Sequence, residues 1–407
     1  GGSNAHLVLQ QPTNQLEANN ASAKPRERLA ITGMDAHFGG AENLQQFKAL
    51  IDNNQSTFRE LPSQRWKGIE KDAAVMDALQ LPKAPKGGYV EAFDIDFLRF
   101  KVPPNNEDCL IPQQLMMMKV ADNAATDAGL TPGSNVAVLV AMGIELELHQ
   151  YRGRVNLTTQ IEDSLLQQGI NLSDEQRETL TNIAKDGVAS KALLNQYTSF
   201  IGNIMASRIS ALWDFSGPAI TLSAEENSVY RCVELAENLF QTSDIDAVII
   251  AAVDLAGSIE NITLRQHFGK VNPDPQNKSS QTSNDVLANN QWLVGEGAAA
   301  FVVKPESQAN PENIYACIDA VSFAAGCDAG AINKAANQAL TLAGTTAANI
   351  HSVEAHASGF SAENAAEKAA FAGLYAGKPV SSVKSNVGHT FNAAGVASIV
   401  KSALLLN

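Results

Sequence analysis

The chain has 407 residues, 45% of them hydrophobic, with 29 Lys and Arg against 43 Asp and Glu, a net charge of −14. This is a globular composition, long enough for one large core or two tightly joined halves. The acidic balance without a basic stripe excludes nucleic-acid binding, no apolar run of about 18 residues suggests a membrane span, and the four cysteines show no CxxC or metal spacing, which points to a reduced, cytoplasmic protein.

In chain order, the opening Gly1-Gly2-Ser3-Asn4 is neither a signal peptide nor a natural initiation site. Residues 11–27 have no aromatic residue, much Asn, Gln and Ala, and two prolines, the composition of a linker. A strand follows at 29–34, a helix at 116–128, and a buried strand at 136–140 that runs into a turn. Residues 156–199 form a long polar helical segment with a capping box at Ser173-Asp174-Glu175-Gln176. After a helix at 204–212, a short apolar strand turns at 223–228 into a helix marked by Val229, Val233, Ala236 and Phe240. Strands at 247–253 and 301–303, the latter preceded by Gly295-Glu296-Gly297, and a helix at 394–405 complete the pattern. The alternation predicts an α/β fold with helix-covered sheets, and no internal repeat is visible.

Glu226 stands at the strand-to-helix turn, where a side chain faces a pocket and feels the positive end of the helix dipole. That position suits a thiolate; a carboxylate there cannot carry a thioester. Downstream, Val353-Glu354-Ala355-His356-Ala357-Ser358-Gly359 and Lys384-Ser385-Asn386-Val387-Gly388-His389 each supply a histidine. Together these segments resemble the β-ketoacyl synthases, in which a GP-x-x-T-V-x-x-A-C-S-S turn supplies a cysteine. Two further blocks, V-E-A-H-G-T-G and K-S-N-x-G-H, supply its histidine partners. Counting from Gly217-Pro218 places Glu226 on the cysteine position. Ile111-Pro112-Gln113-Gln114-Leu115 is similar to the family's D-P-Q-Q-R helix start, with Ile111 for Asp, and residues 202–210 to its G-N-x-x-A-S-R-I-S helix. The family's R-C-x-P-F-D segment is missing from the Ser- and Asn-rich stretch 272–290. Residues 1–10, ending Asn4-Ala5-His6-Leu7-Val8-Leu9-Gln10, resemble the family's closing strand, G-F-G-G-x-N-A-H. They are therefore expected to be the tail of an upstream ketosynthase domain, with 11–27 a linker and 28–407 a domain lacking its own closing strand.

The resemblance implies a thiolase-like five-layered αβαβα fold of two similar halves, and a dimer. Without the cysteine it implies a chain-length-factor-like domain that pairs with an active ketosynthase, in the manner of the tandem in bacterial polyunsaturated fatty acid synthases. Acyl chains would arrive on the phosphopantetheine of an acyl carrier protein, and no bound cofactor or metal is expected. Because the surface is acidic, carrier docking would need a local basic patch. Met142 and Ile144, after the strand at 136–140, would reach the partner's tunnel or merely pack at the interface. The alternative is a decarboxylase acting on malonyl-carrier protein to supply acetyl primer, using His356, His389 and Glu226. The remaining alternative is a condensing enzyme with an unusual nucleophile, for which Cys232 is the nearby thiol, although its apolar neighbours read as core. An ionised Glu226 would favour two imidazolium ions, whereas a protonated one would donate a hydrogen bond. Lys384 reads equally as a structural or a catalytic cation, and both histidines as retained residues of an inactive site. His37, His149, His267 and His351 read as packing or surface residues.

Overall fold

A computed structural model of the chain describes residues 25–63, 65–101, 111–143, 146, 148–189, 191, 201–276 and 286–407. The expected upstream tail, most of the linker, Ile144 and residues 277–285 lie outside the described residues. The first part runs β1 (Leu29–Phe38), α1 (Leu44–Asp52), α2 (Ala73–Ala78), β2 (Gly87–Gly88), α3 (Phe97–Phe100), α4 (Pro112–Asp127) and β3 (Val136–Ala141). Then come α5 (Leu148–Gln167), α6 (Asp174–Val188), α7 (Gly202–Trp213), β4 (Ala219–Leu222), α8 (Ser228–Thr242), β5 (Ala247–Leu255), α9 (Ile259–Gln266), β6 (Val294–Pro305) and β7 (Ala316–Ile318). The last part holds α10 (Ala329–Leu342), β8 (Val353–Glu354), α11 (Ser361–Leu374), β9 (Val380–Ser381), α12 (Lys384–Val387) and α13 (Ala394–Leu406).

The large sheet has the order β4-β3-β5-β6-β1-β7, with β2 beside β6. β4, β3 and β5 are parallel, and β6, β1 and β7 join antiparallel. Helices cover both faces, so its strands read as nearly continuous Val, Ile and Ala rather than as an alternation. The β5–β6 register pairs Ile250 with Phe301 and Ile249 with Val302. Ile250 and Phe301 pack with Val229 and Val233 of α8 and Val396 and Val400 of α13. Ile249 and Val302 face the other way, onto Met117 and Val120 of α4 and Met205 and Ile209 of α7. Pro112 opens α4 at the first helical position, where its missing N–H costs nothing. Gly33 lets that helix lie on β1, since a Cβ there would come 2.5 Å from the Ala124 carbonyl oxygen.

β8 and β9 form a second, parallel sheet. α13 lies between the two sheets. Its Val396 and Val400 enter the first core, and its Lys401 ammonium donates to Glu354 of β8 (2.7 Å) and Ser381 of β9 (3.1 Å). The polar segment predicted at 156–199 holds α6 and most of α5, which begins earlier at Leu148, while 190 and 192–199 lie outside the described residues; the capping box between Ser173 and Gln176 is formed as expected. α5 has no buried residue. The strand predicted at 301–303 begins earlier, at Val294, and takes in Gly295-Glu296-Gly297, because Glu296 is buried and internally paired. It accepts from the N–H groups of Val90 (2.9 Å) and Gly257 (3.0 Å) and pairs with Arg65.

Candidate active site

Three chain segments converge on one point. The first is the β4–α8 turn, where Glu225 is left-handed (φ 52°) and Ser228 pins the backbone. The Ser228 hydroxyl accepts from the Ala224 N–H (2.8 Å) and donates to the Glu225 carbonyl (2.5 Å). The second is the loop after β8, held by the Glu367 carboxylate of α11, which accepts the N–H groups of His356 (2.7 Å) and Ala357 (2.8 Å). The third follows α12. Gly388 has φ +83° and lies so close to β6 that a Cβ would be 2.2 Å from the Val294 carbonyl oxygen, and the His389 N–H donates to Leu293 (2.7 Å).

The structure brings Glu226, His356, His389 and Lys384 together. Glu226 Oε2 is 2.6 Å from His356 Nε2. Its Oε1 is 3.3 Å from His389 Nε2, near but without the alignment of a full hydrogen bond. Glu363 of α11 reaches to 3.7 Å of His356 Nε2. Behind them, Lys384 Nζ donates to the His356 carbonyl (2.5 Å) and lies 3.2 Å from His356 Nδ1. The Phe391 N–H donates to His389 Nδ1 (3.2 Å), and the Phe391 ring stacks on the imidazole at 4.0 Å. The Arg265 guanidinium lies 3.1 Å from the centre of that ring.

These contacts set the proton positions. Each Nδ1 faces a donor, Lys384 in one case and Phe391 N–H in the other, so each imidazole carries its proton on Nε2, directed at Glu226. Burial holds His389 neutral, its pKa pushed down to about 3, with Lys384 acting in the same direction and Glu226 against. Burial also pushes the Glu226 carboxyl up, but the two histidines outweigh it and hold the group well below the usual carboxylate range. Two imidazolium ions and a protonated Glu226 are both disfavoured. The site is a carboxylate beside a neutral His389, with His356 Nε2 as its nearer neighbour and buried Lys384 behind, whose own pKa burial lowers against the pull of Glu226.

Glu226, His356 and His389 also place three ligand atoms within 4.8 Å of one another, a spacing at which a divalent cation can bind. The surroundings do not fit one. A metal on Nε2 needs each Nδ1 to bear a proton and donate it outward. Here Nδ1 accepts from a backbone N–H in His389 and faces an ammonium in His356.

Cavities of about 660 and 610 Å³ flank the site, both lined by Glu226 and Glu363. Leu146, Leu264, Phe268 and Phe360 make the first largely apolar. Cys232 is fully buried and burial pushes its thiol up to about 12, so it is a core residue. Met142 is buried at the end of β3 in the core shared with α4 and α7, apart from the Glu226 cluster. His37 is buried, with its pKa lowered by that burial to about 4, and His149, His267 and His351 are exposed. Glu367, Glu363 and Phe391 went unrecognised in the sequence. The one available signal was the Glu363/Glu367 pair, four apart on the helix that follows the His356 block.

Residues 26–309 match the β-ketoacyl synthase N-terminal domain, and residues 318–407 match the C-terminal domain. Over the whole chain, the sequence is 33% identical to a polyunsaturated fatty acid synthase polypeptide of Thraustochytrium sp., although it spans only 20% of that protein. Among solved structures it is similar to the PfaC Keto synthase-Chain length factor, with 74% identity, a TM-score of 0.92, 97% of this chain and 42% of that one covered. A ketosynthase from module 6 of the Bacillus subtilis bacillaene synthase shares the fold at 22% identity and a TM-score of 0.68, over 93% of this chain and 61% of that one. The fold is the thiolase-like α/β fold of ketosynthases. The chain belongs to the β-ketoacyl synthase family.

Proposed function

We propose that this chain is a non-condensing, chain-length-factor-like domain that pairs with an active β-ketoacyl synthase in polyunsaturated fatty acid or polyketide synthesis and helps set chain length. One observation carries the reading: the Glu226 carboxylate, which the motif count places at the nucleophile position, lies between the two histidines, 2.6 Å from His356 Nε2 and 3.3 Å from His389 Nε2. Condensation needs a nucleophile to hold the acyl chain and free donors for the thioester oxygen. The likeness to a solved keto synthase–chain length factor and to a polyunsaturated fatty acid synthase polypeptide supports the assignment. In this reading residues 1–10 are the tail of the upstream ketosynthase and 11–27 the linker to it. Ile144 would reach the partner while Met142 packs in this chain's own core, acyl chains come on a carrier protein's phosphopantetheine, and the assembly is cytoplasmic. The described residues contain no helix long and apolar enough to cross a membrane.

The decarboxylase reading keeps one favourable feature, two N–H donors converging on one point, but the ionised Glu226 fills it. The test uses the domain joined to its ketosynthase, with that partner's cysteine removed, supplied with malonyl-carrier protein. Mass spectrometry is expected to find no acetyl-carrier protein, and restoring the partner's cysteine is expected to restore normal product. Decarboxylation that disappears in Glu226→Ala would instead make this domain the priming enzyme.

A further inference from the structure

The α5–α6 hairpin projects from the body and is fastened at its root. Lys67 Nζ donates to Gln150 (2.9 Å) and to the Val188 carbonyl, Gln150 donates to Glu260 (3.0 Å), and Arg154 pairs with Asp186 (2.5 Å). One side of α5, including Tyr151, Arg154, Ile161 and Leu165, is half-buried, and the helix packs against α6. The other side is a seam of Leu148, Arg152, Val155, Thr159, Glu162 and Leu166, at the alternating four- and three-residue spacing of coiled-coil core positions. Every residue of this seam is exposed, Val155 at 70% and Leu166 at 81%. Helices gain most of their stability from packing an apolar face, and nothing in this chain covers this one among the described residues.

The seam is complementary to itself. In an antiparallel helix pair related by a two-fold axis level with residue 157, Leu148 meets Leu166 of the second copy, Arg152 meets Glu162, and Val155 meets Thr159. Each layer recurs once by symmetry, which makes two cation–carboxylate layers flanked by apolar ones. A parallel pairing would set Arg152 on Arg152 and Glu162 on Glu162. We infer that α5 is a homotypic contact, pairing antiparallel with α5 of a second copy of this chain and so linking two synthase assemblies. The charge order along the seam selects this occupant, because the negative net charge of the chain would otherwise oppose self-association.

The experiment measures self-association of the full chain by sedimentation, with α6 and the site untouched. Arg152→Glu and Glu162→Arg, each alone, are expected to raise the dissociation constant about tenfold or more, since each creates two like-charge layers. The double swap is expected to restore it. Leu148→Cys with Leu166→Cys is expected to give a disulfide-linked dimer under mild oxidation, and Leu148→Cys alone is not. A chain that stays monomeric at tens of micromolar, or a double swap as weak as the singles, would overturn the inference. So would association only with a different protein. None of these outcomes depends on whether Glu226 is catalytically inert.

Discussion

Glu226 decides the chemistry of the site. A carboxylate accepts and cannot donate, so it holds the His356 Nε2–H at 2.6 Å and stands 3.3 Å from His389 Nε2, occupying the space a substrate oxygen would need. Glu226→Gln keeps the length, removes the charge and adds an N–H donor, relaxing that hold. Decarboxylation of malonyl-carrier protein, absent from the unaltered chain, is expected to become detectable in this variant, since a freed oxyanion donor is worth about 100- to 1000-fold. No rise would mean that the cavity itself excludes the substrate. The same cluster makes stability pH-dependent. His389 is neutral in the fold down to about pH 3, while in the unfolded chain it takes a proton near 6.5. Between those values the unfolded state binds the extra proton, so stability falls as pH falls, by at most about 1.4 kcal/mol per pH unit. Glu226, lowered in the fold, adds to the loss in the same direction only once pH drops below its unfolded value of 4.5. Denaturant titrations from pH 7 to 4 should show this slope, and His389→Leu should reduce it to what buried His37, lowered to about 4, contributes in the same window.

At the scale of elements, the site depends on three turns that deliver side chains from different strands. Gly388 allows the third, and Gly388→Ala places a Cβ against the β6 backbone at a left-handed φ. The conformation alone costs about 1–3 kcal/mol, and the clash adds to it, so a lowered thermal midpoint with the His389 segment the first to exchange amide hydrogens is expected. Glu367→Ala leaves the N–H groups of His356 and Ala357 without their acceptor and should cost about 1–3 kcal/mol. Chemical denaturation would read that cost; a loss below about 0.5 kcal/mol, the low end for a single hydrogen bond, would show that Lys384 alone holds the loop. Much of this level was legible beforehand. The Gly217-to-Ser228 turn and the two histidine blocks were placed from sequence because each is a contiguous motif. Glu367 was not, because a helix carboxylate that caps a distant loop leaves no local periodicity.

Across the whole molecule, the site joins two parts of one chain. Glu226 belongs to the segment matching the N-terminal family domain, and His356 and His389 belong to the C-terminal one. A second buried charge ties the first part together: Glu296 is fully buried, and burial raises its pKa against the pull of Arg65. Arg65→Ala strands that carboxylate and should cost about 3–5 kcal/mol in a denaturant titration. Glu296→Gln with Arg65→Ala should recover much of the loss, since no uncompensated charge then remains.

The sequence by itself determined the α/β class and the order of the elements, because hydrophobic period is a local property, and the gathering of Glu226, His356, His389 and Lys384 was what the family resemblance of their motifs implied. Only the tertiary structure decided the protonation of the cluster. That depends on what faces each Nδ1 and on how deeply each group is buried, and Lys384, Phe391 and Glu226 come to those positions from separate segments of the chain. It also decided that α5 presents a second, uncovered seam, since exposure is a property of the packed molecule rather than of the helix.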